Sequence, residues 1–273
     1  MGRNATNIWA LARSLVSHRD LILRLTVREF TQRFRGSALG ITWAVLTPVL
    51  TAIMFTFVFT VVFKARWGSS TGVDAPNFTV ILLCGMAVHA LFAEVVSRAP
   101  MLVVGNPSYV TKVVFPLEVL PAVVLLSALV NAGIALGVAL VGNLLLNGTF
   151  HFTALLLPLI LLPYLVFLAA AIFVLAAFGV YLRDLSQLTA LLVTLSLFLT
   201  PIFFPLEAVP LAFQKVIMLN PLTFIVEQTR AVVVFGQSLD FLGLGLYTLV
   251  SLAALAGSFW LFQRLRPGFA DVL

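Results

Sequence analysis

Charged residues and cysteine are scarce in this chain. Only 10% of its 273 residues are Asp, Glu, Lys or Arg, while 62% are hydrophobic. A soluble globular domain carries roughly a quarter charged residues, so this composition excludes an ordinary soluble domain. The one cysteine, Cys84, excludes an intrachain disulfide. It lies in an apolar run, which is typical of a small core residue.

Motifs for nucleotide hydrolysis and metal binding are also absent. No glycine is followed by lysine, which excludes the phosphate-binding loop GxxxxGK[ST]. His18, His89 and His151 are scattered, and neither HExxH nor CxxC occurs, so we predict no metal and no cofactor bound by this chain. A membrane-embedded glycan-modifying enzyme would need a cluster of acids, bases or ligands. We therefore expect a protein that is not an enzyme.

Long apolar runs without charge are abundant, and runs of eighteen or more residues predict transmembrane helices. We predict an all-α integral membrane protein with a single domain, 1–273, whose membrane region is 37–262. The six predicted spans are 37–63, 79–97, 116–146, 154–180, 187–204 and 239–262. Residues 1–36 contain no continuous apolar stretch typical of a signal peptide, so we expect the first span to remain as an anchor.

The distribution of lysine and arginine predicts the orientation. Six spans place both termini on one side, and twelve of the sixteen basic residues fall on that side, seven of them within 1–36. Only Lys64, Arg66, Lys215 and Arg230 fall on the other. Because basic loops stay in the cytoplasm, we predict that 1–36 and the tail 263–273 are cytoplasmic. The basic tract before the first span then faces anionic lipid. The net charge of +6 is explained in this way without nucleic acid as a partner.

The segment before the first span has the pattern of an amphipathic helix in the membrane interface. One apolar face consists of Leu23, Val27, Phe30 and Phe34, and a neighbouring stripe consists of Arg24, Arg28 and Arg35. The alternative is a plain basic flank that only orients the first span. Leu21 and Leu25 fall on the far side and suggest a protein partner. Gly36 and Gly40 allow a bend into the bilayer.

Two connections are candidates for functional elements. In 98–115, the run Gly105-Asn106-Pro107 marks a turn, and Asn106 or Ser108 can cap a short helix that carries Tyr109 and Lys112. This is either a docking element or an ordinary loop. The connection 205–238 is apolar and interrupted by prolines, which predicts two short re-entrant helices on the outer side. These helices would close a pathway or serve only as a packing hairpin.

Ionisable residues in the spans are few, the main ones being His89, Glu94 and Glu118. Glu94 and Arg98 are four positions apart, which predicts a structural ion pair. Glu118, at the start of the third span, is expected to reach water. A proton relay would need a chain of such groups across the membrane, and the sequence does not provide one.

Hydroxyl and aromatic side chains recur on shared helix faces. Thr47, Thr51, Phe55 and Phe59 repeat every four residues, and the second face consists of Thr189, Ser196, Thr200 and Phe203. A sugar channel needs apolar walls with a few placed hydroxyls. The alternative is ordinary packing, because Ser and Thr also join membrane helices. The same holds for the step from Gly133 to Gly137, a weak packing signal.

The order of these features resembles the membrane subunit of ABC-2-type polysaccharide exporters. The segment REFTQRFRGSALGITWAVLTPVLTAIMFTFVFTVVFKARW carries the most specific likeness, which continues in NPSYVTKVVFPLEVLP, TPIFFPLEAVP, LNPLTFIVEQTR and RLRPGFADVL. Within the family, the chain is most similar to O-antigen exporter subunits (Wzm-like), with capsule and teichoic-acid exporters as relatives. The likeness covers essentially the whole chain.

The resemblance implies a homodimer that forms a channel in the bacterial inner membrane. Two copies of a cytoplasmic ATP-binding subunit would use ATP and Mg, and the cargo would be an undecaprenyl-diphosphate-linked polysaccharide. Segment 106–112 would be the coupling helix and 206–235 the gate helices. The resemblance places diphosphate contacts at Arg24, Arg28, Arg33 and Arg35, since guanidinium forks suit phosphate oxygens.

A different class, the secondary transporter or lipid flippase that acts without an ATPase, remains as the alternative. It would need ion-coupling carboxylates in the membrane and usually internal repeats. The sequence shows neither feature, and we therefore favour the ATP-driven exporter.

Overall fold

The computed structural model describes residues 7–62, 77–111 and 115–272. Every regular element in these ranges is helical, which confirms the all-α prediction. The α-helices are α1 (Ile8–Ser17), α2 (Arg19–Phe34), α3 (Trp43–Thr56), α4 (Phe78–Arg98), α5 (Pro107–Thr111), α6 (Val119–Asn147), α7 (Leu157–Tyr181), α8 (Leu185–Leu199), α9 (Leu211–Met218), α10 (Pro221–Val233), α11 (Phe241–Leu265) and α12 (Phe269–Val272).

Five helical segments of the described residues are long and apolar enough to cross a membrane. They are Gly40–Phe59, Phe78–Met101, Val119–Asn147, Phe152–Tyr181 and Phe241–Val272. They contain α3, α4, α6, α7 and α11. Four of them match their predicted spans within about four residues, whereas the last segment starts near the predicted span 239–262 but continues to Val272 through α12. A 3₁₀ turn precedes α3 and a π-helical segment, Phe57–Val62, follows it. The predicted end of the first span, residue 63, lies outside the described residues.

The predicted span 187–204 is wrong at its C-terminal end. Its helix, α8, has 15 residues and stops at Leu199, because Thr200 precedes Pro201 and adopts extended backbone, with ψ 139°. The two short helices expected in 205–238 are present as α9 and α10, bent by 94° at Asn220. Asn220 accepts a hydrogen bond from Leu222 N at 3.0 Å, and Pro221 begins α10. Counted as one span, this pair would bring the total to six.

The central element of the bundle is α4. It packs against α3, α6, α8 and α10, and thirteen of its residues are buried. On its α7 side, the fully buried Tyr164 donates a hydrogen bond to the carbonyl of Val88 at 3.0 Å. The most extensive packing between two spans is that of α7 against α11. Packing on its other sides therefore fixes the position of α4 relative to α3.

Both terminal regions meet at one end of the bundle, which we call the termini end. The carboxylate of Glu118, at the start of α6, accepts a hydrogen bond from Ser14 Oγ of α1 at 2.9 Å and one from Arg266 Nη1 at 3.4 Å. The expectation that Glu118 reaches water is wrong, because its side chain is only 13% exposed. It instead joins the N-terminal helix to the C-terminal tail.

Packing of α2 differs from the predicted pattern. Ile22 is buried against Val119 and Val123 of α6, and Leu21 and Leu25 pack beside it. The partner suggested for Leu21 and Leu25 is therefore this chain's own α6. Phe30 also turns inward, whereas Leu23 and Val27 are 57% and 62% exposed. Of the four apolar residues predicted to face lipid, only these two are exposed.

The bend after α2 depends on two glycines, as predicted. Gly36 has φ +84° and Gly40 has φ +52°, conformations that L side chains rarely adopt. A Cβ at either position would meet no atom within 4 Å, so the requirement comes from the backbone itself. These two residues redirect the chain from the surface helix into the first span.

Candidate functional site

Two of the four candidate phosphate ligands share one surface depression. Arg28 and Arg35 line a shallow pocket of about 560 Å³ at the end of α2, which we call the arginine pocket. Its other lining residues are Thr31, Gln32, Phe34, Gly40 and Ile41. Arg24 is exposed one turn earlier on α2. Two guanidiniums with the amide of Gln32 beside them can bind a phosphate or diphosphate.

Arg33 lies in a different setting from the other three arginines. Its Nη1 donates to Glu94 Oε2 at 3.2 Å, and its Nη2 pairs with Glu94 Oε1. The hydrogen bond to Glu94 raises the pKa of Arg33, so its guanidinium stays charged. This bidentate pair joins α2 to the central helix α4.

The pair belongs to a larger polar network. Asn131 Nδ2 of α6 donates to Glu94 at 2.9 Å, and Arg98 Nη1 donates to it at 3.4 Å. The predicted Glu94–Arg98 pair is thus present, although Arg98 lies closer to Glu29 of α2, at 2.6 Å. Two arginines and two glutamates neutralise one another, so the network can lie at the margin of the spans. Sequence spacing alone could not reveal Arg33, Glu29 or Asn131 as its members.

An apolar cavity of about 360 Å³ lies between α3, α4 and α6, with this network on one side. We call it the alanine cavity, since its walls include Ala44, Ala87, Ala90, Ala128, Ala132 and Ala135. Thr47 and Thr51, predicted to line a glycan channel, lie in its wall. Phe34 lines both this cavity and the arginine pocket. The two depressions therefore share Phe34 as a common wall residue.

The predicted channel phenylalanines from two distant segments lie together. Phe203 contacts Phe55 with ring centroids 5.3 Å apart and stacks on Phe59 at 5.1 Å with an interplanar angle of 10°. Phe78 and Phe198 extend the group, at 5.9 Å from Phe59 and 6.2 Å from Phe203. Phe203 lies beyond the end of α8, so this contact comes from the fold and not from helical spacing. We call the five rings the aromatic cluster.

Hydroxyls of the second predicted face are engaged inside the chain. Ser196 Oγ lies 3.0 Å from His89 Nε2 and donates to the carbonyl of Val193 at 2.8 Å. Thr200 is fully buried and accepts a hydrogen bond from Asn220 at 2.9 Å. Thr189 is also buried and donates to Ser186 O at 2.9 Å. These groups stabilise α8 and its junction with α9 and α10.

The predicted coupling segment contains a short helix, α5. Asn106 precedes it, but the Asn106 side chain donates to the Leu102 carbonyl at 2.9 Å. Ser108 is exposed, and Tyr109 stacks on Phe115 at 4.4 Å. The C-terminal helix α12 packs against α5. Lys112 lies outside the described residues.

Arg230 has a role that the sequence did not reveal. It was counted as an outer-loop charge, yet it is fully buried. Its Nε donates to Ile81 O at 3.2 Å, its Nη1 to Pro201 O at 2.5 Å and its Nη2 to Ile202 O at 2.8 Å. Glu227 pairs with it at 2.9 Å. Arg230 thus joins α10 to α4 and to the segment after α8. The sequence signal was the Glu227–Arg230 spacing within an apolar run.

Comparison with known proteins identifies the family. Residues 20–234 match the ABC-2 type transporter family. The chain belongs to the ABC-2 type transporter family. Among its relatives is the O-antigen export system permease protein RfbA of Myxococcus xanthus, 29% identical over 96% of this chain and 98% of the relative. A protein of the same name from Klebsiella pneumoniae is 25% identical over 93% and 95% of the two chains.

Family membership confirms several predictions from the sequence. An ABC-2 transporter chain with several apolar helices is a multi-pass membrane protein and a transport subunit, not an enzyme. ABC-2 transporters work with an ATP-binding ABC partner, which fits the missing phosphate-binding loop. The absence of a bound metal or cofactor stays a prediction; among the described residues, no three His, Cys, Asp or Glu side chains are grouped to hold a metal ion.

Proposed function

We propose that this chain is the channel-forming subunit of an ATP-driven exporter of undecaprenyl-diphosphate-linked polysaccharide, O-antigen-like in type. It acts as a homodimer in the bacterial inner membrane with two copies of a cytoplasmic ATP-binding subunit. The observation that carries the proposal is the likeness to O-antigen export permeases over more than nine-tenths of the chain. The termini end then faces the cytoplasm, as the excess of basic residues there predicts.

The arginine pocket supplies a place for the lipid diphosphate. Arg28 and Arg35 converge where α2 gives way to the first span, which is where a lipid headgroup would enter from the cytoplasmic leaflet. Arg24 extends the basic surface along the same helix. Arg33 contributes by fixing α2 to Glu94 and so positions the other guanidiniums.

The aromatic cluster supports a route for the glycan. Pyranose rings present apolar faces that can lie against aromatic side chains, with a few polar groups setting orientation. Phe55 of the cluster lies on α3 and Phe198 lies on α8, two helices in which only Ala52 and Thr189 are buried. A second copy of the chain would cover these faces and complete the channel wall. The pair of helices α9 and α10 would act as its gate.

Energy for export would come from the partner. Exposed Ser108 on α5, with α12 packed beside it, offers a docking surface for the ATP-binding subunit. A secondary transporter is disfavoured because Glu94 is held by Arg33, Arg98 and Asn131 and has no position from which to couple an ion. The Glu94 carboxylate instead stabilises the packing of α2, α4 and α6.

The experiment replaces both pocket arginines in one variant, Arg28→Gln/Arg35→Gln. In cells that lack the native chain, we expect loss of surface polysaccharide and accumulation of the lipid-linked form, while the variant still co-purifies with the ATP-binding subunit. The exposed Arg183→Gln is the control with the same chemical change. Normal surface polysaccharide in the double variant would reject the assignment of the pocket. A wild-type chain that exports nothing would reject the function.

A further inference from the structure

The alanine cavity has the shape and position of a second ligand site. Its volume, about 360 Å³, is at the lower end of the range for small-molecule sites, about 300–1,000 Å³. Six alanines and Pro48 leave room where larger side chains would close the space between the three helices. It suits part of a hydrocarbon chain and not a whole polar ligand. On its polar side, Glu94 is already bound by Arg33 and Asn131.

We propose that the alanine cavity binds the first isoprene units of a polyprenyl phosphate whose headgroup lies in the arginine pocket. This assignment rests on the proposed function and adds a site for the tail. Phe34 lines both pockets, so one ligand that carries an anionic group next to a hydrocarbon can contact both. In a polyprenyl phosphate the first isoprene carbon is bonded to the phosphate oxygen. In a phospholipid a glycerol unit separates the phosphate from the acyl chains.

Charge and shape favour the same ligand. Arg28 and Arg35 attract the phosphate, while the cavity beyond Phe34 is predominantly apolar. Methyl branches make an isoprenoid wider than a straight acyl chain, and small alanines on α4 and α6 accommodate that width.

The test fills the cavity without disturbing the packed core. Ala90 lines the cavity and is exposed, so Ala90→Trp places a ring in open space. Thr47→Trp fills it from α3, where Thr47 is also exposed. The matched control is Ala253→Trp, on the exposed face of α11. Binding of undecaprenyl phosphate and of inorganic diphosphate is measured on each purified full-length chain by native mass spectrometry.

We expect both cavity variants to lose tenfold or more in affinity for undecaprenyl phosphate while keeping wild-type affinity for inorganic diphosphate. Ala253→Trp should change neither value. Unchanged affinity for undecaprenyl phosphate in both cavity variants would overturn the proposal, and so would its displacement from the wild type by equimolar phosphatidylglycerol. An export assay in cells distinguishes the proposed function from the proposed binding site for the tail. Normal export by the cavity variants would overturn the tail site but would not contradict the proposed function.

Discussion

Arg33 of the surface helix α2 forms a bidentate ion pair with Glu94 of the central helix α4, 61 positions along the chain. Asn131 of α6 donates to the same carboxylate at 2.9 Å. One carboxylate thus holds three helices together at the point where the chain turns into its first span. This contact helps to position Arg28, which lies on the same helix, and Arg35, which directly follows it.

Replacing Glu94 should loosen α2. Glu94→Gln keeps the size of the side chain but removes the charge that Arg33 and Arg98 contact. We expect a loss of about 1–2 kcal/mol in free energy of unfolding, since Arg33 is about one-third exposed and water screens part of the interaction. Thermal unfolding in detergent measures the loss, and faster amide hydrogen exchange across α2 locates it.

The control for this prediction is Asp184→Asn, an exposed carboxylate before α8 whose side chain caps no helix. Combining Glu94→Gln with Arg33→Gln should cost less than the sum of the two single changes, because the two residues share one interaction. Strict additivity would contradict the pairing.

Removing the buried guanidinium should have the largest effect on stability. Arg230→Met leaves the carbonyls of Ile81, Pro201 and Ile202 without this donor, at a cost of about 3 kcal/mol or more. Arg230→Lys should also destabilise the chain, because an ammonium cannot reproduce the planar fork. Lys215→Met, on the exposed side of α9, is the control. Equal melting temperatures for the Arg230 and Lys215 variants would refute this role.

A side chain at Gly36 should destabilise the chain. Gly36→Ala meets no neighbouring atom, so the expected loss of about 1–2 kcal/mol comes only from the backbone at φ +84°. Gly133→Ala is a suitable comparison, because Gly133 lies in α6 with equally open space and a helical backbone, where alanine is favoured. Thermal unfolding should rank Gly36→Ala below the wild type and Gly133→Ala at or above it.

Phe203 should contribute to glycan passage through its ring. Phe203→Ala removes the partner of Phe55 and Phe59, and an aromatic contact of about 1 kcal/mol corresponds to roughly fivefold in an equilibrium constant. We expect export to slow by about that factor while the ATP-binding subunit still co-purifies. Phe241→Ala, exposed at the start of α11, should export normally. Equal export rates for Phe203→Ala and Phe241→Ala would show that the aromatic cluster does not contribute to glycan passage.

Features that depend on composition and local periodicity were predictable from the sequence. Five apolar segments gave spans that overlap five observed helices, and the bend after α2 was predictable from Gly36 and Gly40. The Glu94–Arg98 pair followed from their spacing. Each of these predictions uses residues that are close in the chain.

Features that depend on tertiary contacts were not predictable. Glu118 accepts hydrogen bonds from Ser14 and Arg266. Arg230 is buried and donates to carbonyls of α4 and of the segment after α8. A helical face drawn through Thr200 and Phe203 was wrong because Pro201 ends the helix, although Phe203 still reaches Phe59. A Cβ at Gly133 or Gly137 would meet no atom of the described residues within 4 Å, so this step brings no helix of this chain into close packing.

The central claim is that this chain is a passive channel driven by a separate ATPase. The most direct test reconstitutes the purified chain in vesicles, with and without its ATP-binding subunit, and follows transport of a polyprenyl-diphosphate-linked glycan. We expect transport only with both subunits and ATP, and none when the partner cannot hydrolyse ATP. Transport against a gradient by the chain alone would contradict the claim.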